Sequence, residues 1–342
     1  MVKKKKVRRT LRRPYKILLG LLLICFVFFS LRYCTLHTNK DDEDKYGTII
    51  DGVETTEEPA DDDSFNKKRG EDYSLTDEPF TFTVLDVGQG QSIFIDYGEM
   101  EVLIDGGYPE YGDTVVEKIQ DKVDGDLDYV IATHSDADHV GGLSAVYKAF
   151  SVNKTIYGDL SGNGAGKIFE QDARRASSQV VPDSNMTIEL GKNATLTIFD
   201  VTNDEPDSND NSVLSFIQFG ETTFFASGDA GKDIEKKLRG KLPQCDVVVA
   251  GHHGSNTSNS LLDILRPTYF VVSAGANNDY GHPHEDVLSF ADSIGSTIFG
   301  TFRSGDISFI SDGMSVSCDI SDDDSLSPED AGAKVRQKKS KK

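Results

Sequence analysis

The amino-acid sequence predicts an α/β fold in which two β-sheets are covered by helices, preceded by one transmembrane helix. Short runs of β-branched and aromatic residues alternate with helical stretches, and Gly-containing turns separate them. Many neighbouring runs are spaced as hairpins, which fits two covered sheets better than a doubly wound parallel sheet. The GxGxxG dinucleotide fingerprint is also absent after the first strand.

The elements follow one another along a single folded body over residues 80–320. We predict strands at 80–86, 92–97, 101–104, 127–133, 194–201, 212–219, 222–226, 246–250, 269–272, 296–299, 306–309 and 314–317. We predict helices at 111–120, 141–150, 232–239, 261–265 and 285–293.

The N-terminal segment combines a basic stretch with an apolar run. Residues 1–32 contain ten Lys and Arg and no acidic residue, and an apolar run covers 17–31 within a predicted anchor at 17–33. Such a run is just long enough to span a bilayer, and the positive-inside rule places the basic segment 1–16 in the cytoplasm. A cleaved signal peptide is the alternative, but bulky residues occupy the zone where cleavage needs small ones. We therefore expect an uncleaved single-pass anchor in the cell membrane and an extracytoplasmic body.

The charge of the chain is unevenly distributed. The formal net charge of the chain is −21, and the body over residues 80–320 by itself carries about −22, because the basic N-terminal segment offsets the acidic linker. Residues 39–79 are acidic and poor in large apolar residues, which predicts a disordered linker. We also expect the tail 321–342 to be disordered. The acidic body weakens the case for tight, sequence-independent DNA binding, because phosphate contacts need Lys and Arg.

Two cysteines, Cys245 and Cys318, belong to the body. A disulfide between them is possible if the body is exported. Two buried thiols in strands are the alternative that we favour.

Six of the seven His residues fall in three short loops. They are His134 and His139, His252 and His253, and His282 and His284. The first loop, Thr133-His-Ser-Asp-Ala-Asp-His, follows a predicted strand, so its alternating side chains at 134, 136 and 138 can converge. Two imidazoles and two carboxylates within six residues suit divalent metal ions. A helix-capping Asp would explain only one of these four residues.

The order of motifs resembles the metallo-β-lactamase superfamily, whose signature is His-x-His-x-Asp-His. Asp136 stands at the second His position, a variant typical of the ComEC-like branch, the extracellular domain of the DNA-uptake channel protein. The other matching segments are Leu85-Asp-Val-Gly-Gln-Gly-Gln-Ser, Leu103-Ile-Asp-Gly-Gly, Asn209-Asp-Asn-Ser, Ser227-Gly-Asp-Ala, Gly251-His-His-Gly-Ser and Gly281-His-Pro-His. Gln91 stands where the branch leads us to expect Asp. The resemblance implies a four-layer αββα sandwich with hydrolase activity.

The resemblance also implies a site for two divalent metal ions, zinc or manganese. The implied ligands are His134 and Asp136 for one metal, Asp138 and His139 for the other, Asp229 as a bridge, and His253 as a further ligand of the second metal. We expect Asp105 to brace the metal loop rather than to bind. The superfamily usually has another His between the first loop and the bridge. This chain instead has Asn209, Asp210 and Asn211 in that region, which favours a harder, more oxygen-rich metal such as Mn²⁺ at one position.

Catalytic roles follow from the same resemblance. We expect Asp138 to orient a nucleophilic water, and His252 or His284 to protonate the leaving oxygen. The role of His282 stays open, between a direct contact with the metals and the support of a ligand.

The resulting functional prediction is a membrane-anchored, extracytoplasmic, dinuclear metal-dependent hydrolase. We expect a phosphodiesterase or nuclease with a phosphodiester substrate, most simply DNA. The alternatives are a phosphodiesterase on a cell-surface polymer such as choline-bearing teichoic acid, and a lactonase-like carbonyl hydrolase. A binding module without activity is disfavoured because the implied ligand set is intact.

Two surface features would discriminate between DNA and a choline-bearing polymer. A nuclease predicts a basic stripe beside the metals, for which the candidates are Arg174, Arg175, Lys232, Lys236 and Lys237. A choline-polymer enzyme predicts an aromatic pocket, for which the candidates are Tyr157, Phe169 and Tyr280.

Overall fold

A computed structural model describes residues 79–158, 160, 164–182, 185–199 and 207–333. The predicted basic segment 1–16, the anchor 17–33 and almost all of the acidic linker 39–79 lie outside these residues. Among the residues that are described, no helix has the length and apolar character needed to cross a membrane.

The first sheet has eight strands in the order β15-β14-β1-β2-β3-β4-β5-β6. The strands are β1 (Phe80–Val84), β2 (Ile93–Tyr97), β3 (Met100–Ile104), β4 (Leu127–Ala132), β5 (Val152–Tyr157), β6 (Ser178–Val180), β14 (Ile307–Ser311) and β15 (Val316–Cys318). Pairing is antiparallel from β15 to β3 and parallel from β3 to β6. In this register, Phe82 of β1 lies opposite Phe309 of β14.

The second sheet has seven strands in the order β13-β12-β11-β10-β9-β8-β7. The strands are β7 (Met186–Gly191), β8 (Ala194–Phe199), β9 (Leu214–Phe219), β10 (Thr222–Ala226), β11 (Val247–Val249), β12 (Tyr269–Val272) and β13 (Thr297–Gly300). Pairing is antiparallel from β7 to β10 and parallel from β10 to β13.

The inner faces of the two sheets form one apolar core. Phe82 of β1 stacks on Phe224 of β10, with 5.1 Å between the ring centroids. The next residue, Phe225, belongs to a different apolar cluster on the outer face of the second sheet. This alternation follows from the two-residue period of a strand, which sends neighbouring side chains to opposite faces.

Helices cover both outer faces. The helices are α1 (Gly112–Ile119), α2 (Ala137–Val140), α3 (Leu143–Ala149), α4 (Gly164–Ala176), α5 (Lys232–Lys236), α6 (Asn259–Leu265), α7 (Glu285–Ser293) and α8 (Thr301–Ser304). Buried side chains of α1, α3 and α4 pack on the first sheet, and those of α5, α6 and α7 pack on the second. The predicted two covered sheets, in the layer order αββα, are confirmed.

Four elements, β5, α4, β6 and β7, lie in a region where the sequence predicted none. β5 exposes Asn153 and Lys154, so its pattern lacks the apolar alternation of a strand. α4 begins with Gly164 and contains Gly166, and Gly is a weak helix former. Packing on the first sheet outweighs these local preferences.

The prediction of a disordered tail over 321–342 is wrong for residues 321–333. Leu326 is buried and joins the apolar cluster on the outer face of the second sheet. Arg303 forms an ion pair with the buried carboxylate of Asp330. Single tertiary contacts such as these leave no periodic pattern in the sequence. They hold two short 3-10 helices, Asp322–Asp324 and Pro328–Ala333.

Both body cysteines are free thiols. Cys245 lies in the apolar cluster outside the second sheet, whereas Cys318 packs against the inner core. Burial raises the pKa of Cys245, and it raises the pKa of Cys318 to about 11. The structure therefore agrees with two separate thiols, although Cys318 is only half-buried.

Candidate metal centre

Most of the predicted site residues meet at one edge of the sandwich. Asp105 follows β3, His134 follows β4, Asp229 follows β10 and the His252-His253 pair follows β11. Loops after the carboxyl ends of parallel strands converge, which is why such edges form ligand sites.

Four side chains form what we call the deep cluster: Asp138, His139, Asp229 and His253. One ligand atom from each lies within 4.8 Å of all the others. His253 Nε2 lies 3.2 Å from Asp138 Oδ2, and His139 Nε2 lies 3.2 Å from Asp229 Oδ1. These distances suit side chains that share one small cation.

A second group, the rim cluster, consists of His134, Asp136 and Asp229. His134 Nε2 lies 3.8 Å from Asp136 Oδ2 and 3.9 Å from Asp229 Oδ2. Asp229 thus lies between the two clusters, where the sequence predicted a bridging carboxylate. His252 is at the open side of this group, with its Nε2 at 3.7 Å from Asp229 Oδ2.

The buried polar atoms of these clusters fit metal ions. His134 Nε2 is buried without a hydrogen-bond partner, and His139 Nε2 and Asp229 Oδ1 are buried 3.2 Å apart without forming a hydrogen bond of good geometry. Unpartnered buried polar atoms are rare because each one costs free energy. Imidazole nitrogen and carboxylate oxygen are donors for Zn²⁺ and Mn²⁺, so the residues present fit a divalent cation.

Supporting contacts fix the orientation of the deep cluster. The Asp105 carboxylate lies 2.7 Å from His139 Nδ1 and accepts hydrogen bonds from Thr133 and Gln91. His253 Nδ1 donates to the carbonyl of Ser273 at 2.9 Å. These partners turn each Nε2 toward the centre, as in known metal sites. Asp105 therefore braces the loop as predicted, and Gln91 supplies it with an amide donor.

The backbone between Asp105 and His139 is held by glycines. Gly106 N donates to the carbonyl of His139, and Gly142 N donates to that of Gly107. A β-carbon on Gly142 would collide with the carbonyl oxygen of Gly106. This close approach brings Asp105 within reach of His139. The short helix α2 ends before Gly142, and α3 after it is the helix that the sequence predicted over 141–150.

The segment 207–213 supports the rim cluster. Ser208 Oγ donates to Asp136 Oδ1 at 2.8 Å, and Ser212 Oγ accepts from Asp229 N at 3.2 Å. Asp210 Oδ1 accepts a hydrogen bond from Gly231 N, which directs it toward α5. Asn209 Oδ1, in contrast, is buried without a partner.

His252 and His253 adopt an uncommon backbone conformation. Their φ angles are 49° and 56°, in the left-handed region that costs a residue with a β-carbon about 1 kcal/mol or more. The tight turn places His253 in the buried centre and leaves the side chain of His252 30% exposed. Local strain at adjacent histidines is expected where geometry serves a site.

His282 and His284 lie in different environments. His282 is 8% exposed and lines the cleft, and its ring centroid is 5.4 Å from that of His252. Asn278 holds the backbone of His282 through two hydrogen bonds. His284 is exposed at the N-terminus of α7 and does not line the cleft. His282 therefore lies in the cleft wall, whereas His284 lies outside the lining with its ring centroid 5.3 Å from that of His282.

The clusters open into a cleft of about 270 Å³. Asp136, Asp138, Asp229 and His252 line it. Sequence reasoning missed Tyr108 and Gln89 in the lining, because neither residue type is diagnostic of a site. Among the residues that the structure describes, no Lys or Arg lines this cleft.

The basic residues that a nuclease would place beside the metals do not line the cleft. Arg174 pairs with Glu170, and Lys236 pairs with Asp233. None of the five candidate basic residues is among the lining residues. Of the three aromatic candidates, Tyr157 and Phe169 lie in the apolar cluster outside the first sheet, and only Tyr280 lines the cleft.

Without a metal ion, burial and neighbouring charges shift the pKa values of the buried site residues in different directions. Burial, together with the positive charge of His139, lowers the pKa of His134 to about 4. Burial opposes charge on His139, but Asp229 and Asp105 outweigh it and raise its pKa well above the ordinary value. Burial likewise opposes charge on Asp229, yet the neighbouring imidazoles hold its pKa well below the ordinary value. A metal ion would replace the proton on His139, so protons compete with metal binding.

The chain belongs to the metallo-β-lactamase superfamily, whose model matches residues 85–275. The resemblance inferred from the motifs is thereby confirmed. Competence protein ComA of Neisseria gonorrhoeae is 30% identical over 234 residues, covering 66% of this chain and 32% of that protein. ComE operon protein 3 of Bacillus subtilis is 26% identical over 251 residues, covering 66% and 32%. Recombination protein 2 of Haemophilus influenzae is 27% identical over 237 residues, covering 65% and 28%. The chain spans about a third of the length of these curated relatives.

Solved structures of the same fold are more distant. The metallo-β-lactamase fold protein YhfI from Bacillus subtilis is 10% identical with a TM-score of 0.47, covering 68% of this chain and all of that one. CmlA, a diiron β-hydroxylase from Streptomyces venezuelae, is 16% identical with a TM-score of 0.46, covering 66% and 53%.

Proposed function

We propose that the protein is a phosphodiesterase that uses two divalent metal ions and acts on DNA. The observation that carries the proposal is the convergence of the deep and rim clusters on one open cleft. In this proposal His134, Asp136 and Asp229 would hold one metal. The other is held by Asp138, His139, Asp229 and His253.

The metals and the side chains have separate tasks. Bound there, two divalent cations supply Lewis acidity to a phosphoryl oxygen and lower the pKa of a water molecule. Asp138, whose side chain is 19% exposed, can accept a hydrogen bond from the attacking water and orient it. His252 is more exposed at the cleft wall and is placed to give a proton to the leaving oxygen.

His282 takes the supporting role in this scheme. Burial, together with the neighbouring imidazoles, lowers the pKa of His282 to about 4. A neutral imidazole that contacts the ring of His252 can orient it without competing as an acid. His284 has no part in the scheme because it is exposed outside the cleft.

The choice of DNA follows from the relatives. Their names refer to competence and recombination, which are DNA processes. The predicted anchor 17–33 would hold the body outside the cytoplasm, where incoming DNA is found.

A second candidate is a phosphodiesterase on a choline-bearing surface polymer. The observation that favours it is the cleft lining, in which the described residues include Tyr108 and Tyr280 but no Lys or Arg. An aromatic wall without positive charge can attract a quaternary ammonium group.

The test uses the full-length chain in detergent, loaded with Mn²⁺ or Zn²⁺. Turnover of bis-p-nitrophenyl phosphate and of linear DNA is measured beside the double variant His134→Ala/Asp229→Ala. Metal-dependent turnover of both substrates, lost in the variant, supports the proposal. Turnover of the small diester alone moves the assignment to the polymer. Failure on both substrates with two metals bound contradicts a phosphodiesterase.

A further inference from the structure

Two tyrosines stand on the wall of the cleft. Tyr108 belongs to the loop that follows Asp105, and Tyr280 precedes His282. Their hydroxyl groups lie 3.4 Å apart, so each restrains the other. Both line the same cleft as the deep cluster.

The ring of Tyr280 is exposed although it is held in place. Its exposure is 61%, and its ring centroid lies 5.7 Å from that of His282. An aromatic ring that is exposed and restrained at the mouth of a site offers a large contact area at a small cost in conformational entropy.

We propose that Tyr108 and Tyr280 form a stacking subsite for an unpaired nucleobase, so that the enzyme acts on single-stranded DNA. This inference rests on the proposed phosphodiesterase function and names its substrate form. A base stacked on an aromatic ring contributes roughly 1–3 kcal/mol.

The charges around the cleft favour stacking over duplex binding. Duplex DNA is held mainly by Lys and Arg contacts to many phosphates. Among the residues that the structure describes, the cleft is lined by three carboxylates, Asp136, Asp138 and Asp229, and by no Lys or Arg. Bases in a duplex are already stacked and paired, so reaching one costs a few kcal/mol. An unpaired base avoids that cost and gains the contact with the rings.

The arrangement of the rings favours a base over a quaternary ammonium group. Sites for such cations surround them with the faces of several rings. The cleft lining holds only two tyrosines among the described residues, Tyr108 and Tyr280, and they approach each other at their hydroxyl groups, 3.4 Å apart. The pair presents a wall on which one flat group can lie.

The experiment compares three diesters with the same p-nitrophenolate leaving group: the methyl ester, the thymidine 5′-ester and the choline ester. We expect the full-length, metal-loaded protein to hydrolyse the thymidine ester with a kcat/KM about ten times that of the methyl ester. Tyr280→Ala should reduce this ratio to about 1, and Tyr280→Phe should retain most of it. Met314→Ala is the matched control, since Met314 is 60% exposed in the turn between β14 and β15.

The outcomes separate the subsite from the function. Equal turnover of the methyl and thymidine esters overturns the stacking subsite while the phosphodiesterase stands. A preference for the choline ester overturns the stacking subsite and favours the choline-bearing surface polymer as the substrate. No turnover of any ester with two metals bound removes the function itself. A 5′-labelled oligonucleotide should be cut faster as a single strand than as a duplex, and the reverse order overturns the inference.

Discussion

The deep and rim clusters share Asp229 but differ in how firmly they are held. In the deep cluster, His139 and His253 are braced through Nδ1 by the Asp105 carboxylate and by the Ser273 carbonyl. In the rim cluster, the Asp136 side chain is 35% exposed and receives a hydrogen bond from Ser208. Buried, oriented ligands lose less freedom when they bind a cation. The difference therefore predicts a tight metal in the deep cluster and a more exchangeable one at the rim.

The largest effect is expected from the shared carboxylate. Asp229→Asn removes the charge that lies between both clusters, so both metals should be weakened and turnover should fall roughly 10³-fold or more. Metal content by mass spectrometry and diester turnover give the readout. Asp210→Asn is the matched control, because that carboxylate accepts from Gly231 N instead. Loss of only one metal from Asp229→Asn would show that it is not shared.

Chelation should release the two metals in separate steps. The rim metal should leave first with little change in stability. Removal of the deep metal should cost about 3 kcal/mol at a metal concentration 100 times its Kd, which lowers Tm by roughly 5–10 °C. Calorimetry during a chelator titration measures both steps. Simultaneous release would mean that the clusters do not differ as their surroundings suggest.

Loss of the Asp105 carboxylate, which holds His139 in position, should weaken metal binding in the deep cluster without abolishing it. Asp105→Asn keeps the shape of the side chain but removes the charge beside His139, and it places an amide among hydrogen-bond donors. We expect metal affinity to fall about 10–100-fold. Isothermal titration with Zn²⁺ gives the affinity, and an unchanged value would remove the orienting role assigned to Asp105.

The smallest effect is expected at Ser208. Ser208→Ala deletes one hydrogen bond to a partly exposed carboxylate, which is worth about 0.5–1.5 kcal/mol. The affinity of the rim metal should fall about 2–10-fold, and that of the deep metal should stay the same. A larger loss at the deep metal would contradict the separation of the two clusters.

The sequence predicted the clusters better than it predicted their surroundings. Six proposed ligands were found because His and Asp are concentrated in loops after strands, and the structure brings these six together. The roles of His282 and His284 could not be separated from the sequence, because their positions depend on the fold of the chain after β12. There Asn278 holds His282 in the cleft, while His284 stands at the N-terminus of α7.

Other features depend on tertiary contacts that leave no local pattern. Tyr108 lies 172 positions from Tyr280, and nothing in either segment indicates that their hydroxyl groups meet. β5 and α4 lack a clear period, and their place is decided by packing on the first sheet. The tail folds because Leu326 fills an apolar site on the second sheet.

The central claim is that two metals of unequal affinity together support phosphodiester hydrolysis. The most direct measurement is a titration of the metal-free, full-length protein with Mn²⁺, in which bound metal and turnover of methyl p-nitrophenyl phosphate are followed together. The account predicts that the first equivalent binds tightly with little activity and that turnover rises with the second. Full activity at one equivalent, or two bound metals without turnover, would contradict it.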